Sequence, residues 1–421
     1  MALLLLIILL YGAVHLVFVQ NFLTTKITGI LSEKLNTTVK IDHINFSFYD
    51  KLDLRGLLVK DHNKDTLLYA GSAKINITDW FFFRDKVVLK YASLSDAQVN
   101  MHRTDSVWNY QFLLDYFASP AKSNKKDKVQ FDVKEIHLTN IQFYQVDKWV
   151  GKDQIGFVKK MDLLADTMDF NKKRIWIKSI YFDEPFFQIS DYTGNRDKLG
   201  LTVAKKKIIP LPNALRWNPD GWVMNLKNLH IQNGTFVNDT ETDRTAYTDQ
   251  FDGSHLRFSN INGNLNNIHF EKDTLVTDGN LTTKERSGFE VKKLQAQIKF
   301  TPEIMEFNQL ELVTNKSRLG NYYAMKYQSF NEDMGHFLHN VKLEGNFINS
   351  EINSDDLAFF APELKTWKRV LKIKGFAKGT IDNLSAKKML LQSGNSIVDG
   401  DLVMQGLPDI CLLYTSPSPR D

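Results

Sequence analysis

One eleven-residue segment, VKEIHLTNIQF at 133–143, recurs along this chain and constrains its fold more than any other feature. The copies share an apolar first residue, a lysine, apolar residues at positions four, six and eleven, and an acidic or amide residue around position eight. A period of 44 to 49 residues separates them, which indicates supersecondary units that stack and bury their apolar faces on one another. The copies begin at Leu89, Val133, Ile177 and Leu226.

Within a copy, apolar and polar residues alternate as they do in a β-strand. Ile136 and Leu138 alternate with His137 and Thr139, and this period of two places every second side chain on one face. The step of three from Val133 to Ile136 breaks the alternation and predicts a bulge or a twist between them. Turn-forming Asn-Gly and Asp-Gly pairs separate the apolar runs and favour antiparallel meanders. The sequence therefore predicts a mainly β chain.

The chain begins with an apolar run from Ala2 to Val19. Eighteen helical residues span about 27 Å, close to the hydrocarbon thickness of a bilayer, and no small-x-small cleavage site follows. We therefore predict a transmembrane anchor over 1–20, with a cleaved signal peptide as the alternative. The residues predicted to contact the membrane are Leu4, Ile7, Leu10, Leu16 and Phe18.

Helical spacing of apolar residues predicts an amphipathic linker helix over 21–36, with Asn36 as its stop. Two further helices are predicted, at 108–118 and at 354–373, where Ser354 or Asp355 would be the cap. Pro362 lies inside the second, so one helix and two pieces divided at Pro362 are the alternatives.

The remaining boundaries follow from where the strand pattern begins and ends. Residues 37–410 are predicted to form one repetitive β region. The last residues, 411–421, contain the single cysteine, two prolines and no strand pattern, and they are predicted to be a non-native tail.

Composition and motifs argue against several classes of function. The formal charge of +4 is small for 421 residues, and the basic segment 122–128 is typical of a solvated loop, so nucleic acid is not a predicted partner. A lone Cys411 excludes an internal disulfide. No metalloprotease, P-loop or nucleophile-elbow motif occurs, the ten histidines are scattered, and acidic pairs such as Asp183–Glu184 are expected by chance. We predict no catalytic residue, no metal and no cofactor.

Seven segments, taken in order, resemble one known family. They are VQNFLTTKITGILSEKLNTTVKIDHINFSF at 19–48, LRGLLVKDHNKDTLLYAGSAKINI at 54–77, SVWNYQFLLDYF at 106–117, LTTKERSGFEVKKLQAQIKFTPEIMEF at 281–307, DLAFFAPELK at 356–365, IKGFAKGTIDNLSAK at 373–387 and GDLVMQGLPDI at 400–410. This series is similar to TamB-type members of the AsmA-like superfamily from Bacteroidetes-like bacteria. The resemblance covers residues 20–410, and it rests on the ordered series because no single segment is as specific as a metal signature.

The resemblance implies a single-pass inner-membrane anchor and an elongated, curled antiparallel β-groove in the periplasm, of the β-taco or bridge type. Such a groove is expected to carry phospholipids between the inner and outer membranes, to assist outer-membrane protein assembly, or both. Full-length relatives meet an outer-membrane barrel partner through a C-terminal domain, so we expect this chain to be an N-terminal fragment. Alternation within three repeat copies gives the candidate groove residues Ile136, Leu138, Phe143, Ile180, Phe182, Phe187, Leu229, Ile231 and Phe236.

Elementary energetics agree with a lipid path. About 30 methylenes at roughly 0.8 kcal/mol each make the transfer of a phospholipid through water unfavourable by on the order of 20 kcal/mol. An apolar groove removes most of that barrier without covalent catalysis, so the chain is predicted not to be an enzyme.

Other classes fit part of the pattern. A secreted β-solenoid hydrolase or adhesin with a cleaved signal would also show the repeat. An outer-membrane barrel alternates too, but its strands do not follow an uncleaved helix. Lipid transport and protein assembly stay open as alternatives, since both need an extended apolar surface.

Overall fold

The computed structural model describes residues 17–47, 51–77, 89–118, 133–170, 172–200, 215–244 and 249–406. Within these ranges the chain is mainly β, with eighteen strands in a mixed, mostly antiparallel sheet and a few short helices. The predicted β class is therefore confirmed. The chain divides into two units: unit one is Met1–Ile209 with Ile231–Asp243, and unit two is Pro210–His230 with Arg244–Asp421.

No helix in the described ranges is long and apolar enough to cross a membrane. Four of the five predicted anchor residues, Leu4, Ile7, Leu10 and Leu16, lie outside those ranges, as do the loop at 122–128 and the tail at 411–421. The fifth, Phe18, is 80% exposed in the first helix.

Unit one contains one long helix, two short ones and eight complete strands. The C-terminal part of a ninth strand, β9 (Val223–Thr240), also belongs to it. In chain order the elements are α1 (Val17–Leu35), β1 (Val39–Lys40), β2 (His43–Ser47), β3 (Lys51–Lys60), β4 (Thr66–Ile77), β5 (Leu89–Arg103), α2 (Gln111–Ala118), β6 (Glu135–Asp147), β7 (Lys152–Asp169), β8 (Arg174–Asp191) and α3 (Asn195–Lys198).

Strand pairing in unit one follows the order of the chain. β3 pairs antiparallel with β1, β2 and β4, and β4 pairs antiparallel with β5. β5 and β6 are parallel, which requires a crossover connection, and residues 104–134 supply it. β6, β7 and β8 then pair antiparallel in sequence. The repeat copies on β5, β6 and β8 consequently all run in one direction.

A residue with left-handed backbone occupies position eight of every repeat copy. Asn and Asp tolerate positive φ better than other residues that carry a Cβ, which accounts for the acidic or amide residue of the frame. The φ angles are +52° at Asp96, +55° at Asn140, +48° at Glu184 and +54° at Asn233.

The left-handed residue interrupts the pairing of the strand. In the β6–β7 ladder Thr139 pairs with Lys160, and Ile141 pairs with Val158. Asn140 and Lys159 are both left out of the ladder, and the register is the same on either side of them.

The break in alternation predicted between positions one and four of the frame is present in two copies. The β4–β5 ladder skips Lys90 between Leu89 and Tyr91, and the β7–β8 ladder skips Lys178 between Ile177 and Ser179. In the copy at 133–143, β6 begins at Glu135, so Val133 precedes the strand.

Helix α1 packs against β1 and β2. Ile27 and Leu31 lie on its partly buried side, whereas Phe22 is 58% and Ile30 is 43% exposed. The helix ends before Asn36, whose φ of +50° and whose N–H donated to the Glu33 carbonyl at 3.3 Å form the C-terminal cap.

Unit two begins with the N-terminal part of β9 and continues through nine antiparallel strands with short helices between them. Each strand from β10 to β18 pairs with the next one along the chain. The elements are β10 (His255–Glu271), β11 (Thr274–Glu285), β12 (Glu290–Thr301), β13 (Ile304–Thr314), β14 (Arg318–Lys326), α4 (Phe330–Gly335), α5 (Phe337–Asn340), β15 (Lys342–Asn353), α6 (Ser354–Leu357), a 3-10 helix (Pro362–Thr366), β16 (Val370–Thr380), β17 (Asn383–Ser393) and β18 (Ser396–Gln405).

The helix predicted over 354–373 is two short pieces followed by a strand. Pro362 starts a 3-10 turn rather than continuing α6, since proline lacks the N–H that a helix interior needs. The cap is Asn353, whose side chain accepts a hydrogen bond from the Asp355 N–H at 2.9 Å, so the prediction of Ser354 or Asp355 was wrong. From Val370 onward the chain is β-strand.

Candidate functional site

Apolar side chains of β5, β6, β7 and β8 align in rows across unit one. Ile136, for example, pairs with Leu163, and Leu163 pairs with Ile180. Residues that pair directly across strands point to the same face. The apolar face of unit one consists of three such rows: Ala92, Ile136, Leu163 and Ile180; Leu94, Leu138, Met161 and Phe182; Val99, Phe143, Gly156 and Phe187.

Six of the nine predicted groove residues lie in these rows, two in each. Repeat copies contribute the same position to the same row, because β5 and β6 are parallel in register and β6 and β8 share β7 as their neighbour. Phe236, from the fourth copy, stacks on Phe187 with ring centroids 6.3 Å apart. Ile231 is partly buried in unit one, and Leu229 is partly buried on the part of β9 that belongs to unit two.

The strand between the copies supplies residues that the prediction missed. Met161 and Leu163 complete the rows from β7, which carries no copy of the repeat frame. The alternation of Met161, Leu163 and Ala165 indicates a strand with these residues on one face, but the segment carries no copy of the repeat frame.

The opposite face of the same strands carries the charges. His137 Nδ1 lies 2.6 Å from an Asp162 carboxylate oxygen, and Lys160 Nζ lies 2.7 Å from the other. Desolvation alone would raise the pKa of Asp162, but the hydrogen bonds from Lys160 and His137 outweigh it and hold that pKa below its usual value. Lys159 and Glu184 form another pair at 2.6 Å. The two faces of unit one therefore have opposite chemistry.

Most side chains of the apolar face are only partly buried. Leu163 is 7% exposed in the middle of its row, whereas Phe187 is 40% exposed. Neighbouring strands cover the flanks of these side chains, and their outer ends stay accessible. A face in this condition offers apolar area to a second molecule.

Unit two has an apolar face of its own. Ile298 pairs with Phe307 and Phe307 with Tyr323; a second row contains Leu275, Phe300, Met305, Met325 and Leu343. We call these eight residues the apolar face of unit two. No repeat copy was recognised in this part of the sequence, so none of the eight was predicted.

Polar residues alternate with that face on the same strands. Lys293 and Glu311 lie 2.5 Å apart, and Lys326 is paired with Glu344. The separation of apolar and charged faces is thus common to both units.

Within the described ranges, one acidic cluster has ligand atoms close enough to hold a cation: Asp61, Asp65 and His102. One Asp61 oxygen already accepts the N–H groups of Asn63 and Asp65, each at 2.9 Å, and the other accepts Asn109 Nδ2 at 3.1 Å. These bonds shape the turn between β3 and β4, so the cluster has a structural explanation.

The acidic pairs have structural partners as well. Asp183 and Glu184 both face Lys159, and Asp355 lies between Lys316 and Lys368.

Neither a family model nor a curated protein sequence matches this chain. The two apolar faces are therefore the features on which a function can be argued.

Proposed function

We propose that this chain is a TamB-type, AsmA-like protein that holds phospholipid acyl chains on its apolar sheet faces during transfer between the inner and outer membranes. The observation that carries the proposal is the register of unit one. Repeat positions four, six and eleven fall into three apolar rows over four strands, while Lys160, Asp162 and Asp183 pair in the rows between the apolar ones.

The proposal explains why a sheet carries large apolar side chains that stay partly accessible. Each buried methylene of a ligand contributes about 0.8 kcal/mol, so an acyl chain laid across Leu138, Met161 and Phe182 gains several kcal/mol relative to water. Such a contact is non-directional, which lets a chain slide from one row to the next. A conduit needs that property and a catalyst does not, so the proposal includes no enzymatic step and no cofactor.

The cellular setting belongs to the proposal and rests on the resemblance. A single-pass anchor over 1–20 would fix the chain in the inner membrane, with the sheet in the periplasm curled around the lipid as a groove. An outer-membrane barrel partner would receive the far end through a C-terminal domain. The same surface would serve assembly of outer-membrane proteins if its occupant were an unfolded chain.

Position-specific photo-crosslinking distinguishes the occupants. A photoreactive amino acid at Leu138 in the full chain, activated in cells, is expected to yield a phospholipid adduct in mass spectrometry. The control is Thr139, the next residue on the same strand, which is exposed on the charged face. Protein adducts at 138 without lipid would favour the assembly scaffold, and equal lipid adducts at both positions would refute an apolar path.

A charge on the apolar face gives a second test. Leu138→Arg is expected to keep the fold, because the side chain is only partly buried and the guanidinium can reach water at the rim. A photoreactive residue in a neighbouring row should no longer form the lipid adduct in Leu138→Arg. The same residue should still form it in Thr139→Arg. An unfolded Leu138→Arg would instead mean that the face is sealed in the native protein.

A further inference from the structure

The apolar face of unit two contains one polar atom. Tyr323 lies on β14 directly opposite Phe307, with ring centroids 6.5 Å apart, and it packs against the buried cluster of Ala296, Ile298 and Leu310. The hydroxyl therefore lies on a surface built mainly of hydrocarbon side chains.

Neighbouring tyrosines each have an acceptor, and this one does not. The Tyr322 hydroxyl donates to Glu306 Oε1 at 3.2 Å, and the Tyr327 hydroxyl donates to the Thr301 carbonyl at 3.3 Å. Among the described residues, no atom accepts a hydrogen bond from Tyr323. The Tyr323 hydroxyl is not among the sealed unpartnered atoms of that part of the chain, so water or a bound molecule can accept its hydrogen bond.

The hydroxyl is both desolvated and reachable. Burial raises the pKa of Tyr323 to about 12. The side chain is nevertheless only partly buried. In the described part of the chain, the sealed side-chain atoms without a partner are on Arg286 and Asp356, not on Tyr323. A hydroxyl that is recessed in the face but open to solvent accounts for both the raised pKa and the partial exposure.

We propose that the Tyr323 hydroxyl is a binding site for the ester carbonyl of a lipid whose acyl chain lies along the apolar face of unit two. This inference rests on the proposed function and adds one requirement to it. The lipid must present a hydrogen-bond acceptor at the position of the Tyr323 hydroxyl. The acyl chain would contact Phe300 and Phe307, and the carbonyl oxygen would accept the hydrogen bond from the Tyr323 hydroxyl in place of water. Ester-linked lipids supply such an oxygen at the head of each chain, whereas ether-linked lipids have no carbonyl there.

A competition between two synthetic lipids tests the inference. The full chain would be incubated with vesicles containing equal amounts of diacyl and dialkyl phosphatidylcholine of the same chain length, recaptured, and analysed for bound lipid. Wild type is expected to favour the diacyl lipid about fivefold, the order of one neutral hydrogen bond. Tyr323→Phe should abolish the preference while binding a similar total amount. Tyr322→Phe, which removes a hydroxyl from the charged face, should leave the preference unchanged.

The failures of the two proposals look different. If wild type binds both lipids equally, the hydroxyl is not a carbonyl site, and the lipid-carrying face stands. If wild type binds neither lipid, the proposed function fails as well. A loss of preference in Tyr322→Phe equal to that in Tyr323→Phe would also overturn the assignment.

A measurement on the wild-type protein tests the same inference without requiring that any variant fold. Diacyl lipid labelled with carbon-13 at its ester carbonyls is expected to show a hydrogen-bonded carbonyl band in the infrared when it is bound to the chain. Bound lipid whose carbonyl band is that of a non-hydrogen-bonded ester would refute the inference directly.

Discussion

The rings of Phe187 and Phe236 stack with their centroids 6.3 Å apart and their planes 25° from parallel. Each ring occupies position eleven of its own repeat copy, on β8 and β9 respectively. Residues 49 positions apart in the sequence thus meet because the repeat places equivalent side chains side by side.

This stack should be measurable as a pairwise coupling in a double-mutant cycle. Replacing Phe187 and Phe236 with leucine, singly and together, is expected to give a coupling of about 0.5–1.5 kcal/mol in urea unfolding, as found for aromatic pairs beyond their buried area. Phe187→Leu combined with Phe112→Leu, which lies on α2, should be additive within about 0.5 kcal/mol. Equal coupling in the two cycles would contradict a specific stack.

The left-handed residue of the frame gives a prediction about backbone strain. Asn140→Val forces a β-branched residue to a φ of +55°, whereas Asn140→Gly accepts it freely. Both variants lose the hydrogen bond from Asn140 Nδ2 to Asp96 Oδ1, so their difference isolates the backbone. Valine is expected to be less stable than glycine by about 1–2 kcal/mol or more in urea unfolding.

Two outcomes check that interpretation. Thr139→Val, one residue earlier in a regular part of the strand, should be nearly neutral or slightly stabilising. If Asn140→Val proved as stable as Asn140→Gly, the position would not require positive φ.

The ion pair of Arg103 and Asp147 gives a prediction about pH. The guanidinium contacts both carboxylate oxygens, at 2.8 and 2.7 Å, and Asp147 is 6% exposed. Desolvation would raise the pKa of Asp147, but the bonds from Arg103 and from the Val150 N–H hold it below its usual value. Asp147→Asn leaves the partly buried guanidinium of Arg103 without its partner. We expect it to lower the free energy of unfolding at pH 7 by about 3 kcal/mol.

The sign of the pH effect follows from the depressed pKa. The stabilisation by Asp147 is fully present above the ordinary aspartate pKa of about 4 and is lost as the pH falls through the lower folded-state value. The gap between wild type and Asp147→Asn should therefore narrow in unfolding titrations as the pH falls below about 4. Asp191→Asn, which breaks an exposed pair with Lys152 at 3.3 Å, should change stability by less than about 1 kcal/mol. A gap that stayed constant with pH would contradict the role assigned to Asp147.

The sequence was sufficient to predict the β class, and the repeat frame placed six candidate residues of unit one in shared rows. Position-specific repetition made this possible, because a recurring frame fixes both strand phase and neighbour identity. The acidic or amide position was visible in the frame, but composition alone does not say that a strand residue has positive φ. Local spacing indicated helix over 354–373, whole or divided at Pro362; the division is present, but Val370 pairs in β16 and the last part is a strand.

Most of the apolar face of unit two was beyond reach of the same reasoning. Ile298, Phe307 and Tyr323 meet through two successive antiparallel ladders whose register depends on bulges, and one shifted residue would have turned any of them to the charged face. Among the described residues no protein atom accepts a hydrogen bond from Tyr323, and a sequence does not display such a property.

The parallel alignment of β5 with β6 has a consequence for how such a chain can change in length. Ala92 and Ile136 pair directly, and Ile180 occupies the same row two strands further on. Removing residues 133–176 would therefore join the end of the crossover to β8 with Ile180 at the place that Ile136 left, and inserting a second copy would add two strands without turning any side chain over. A duplication of 44 residues therefore leaves the side-chain rows in register, so the number of strands can change by one segment at a time.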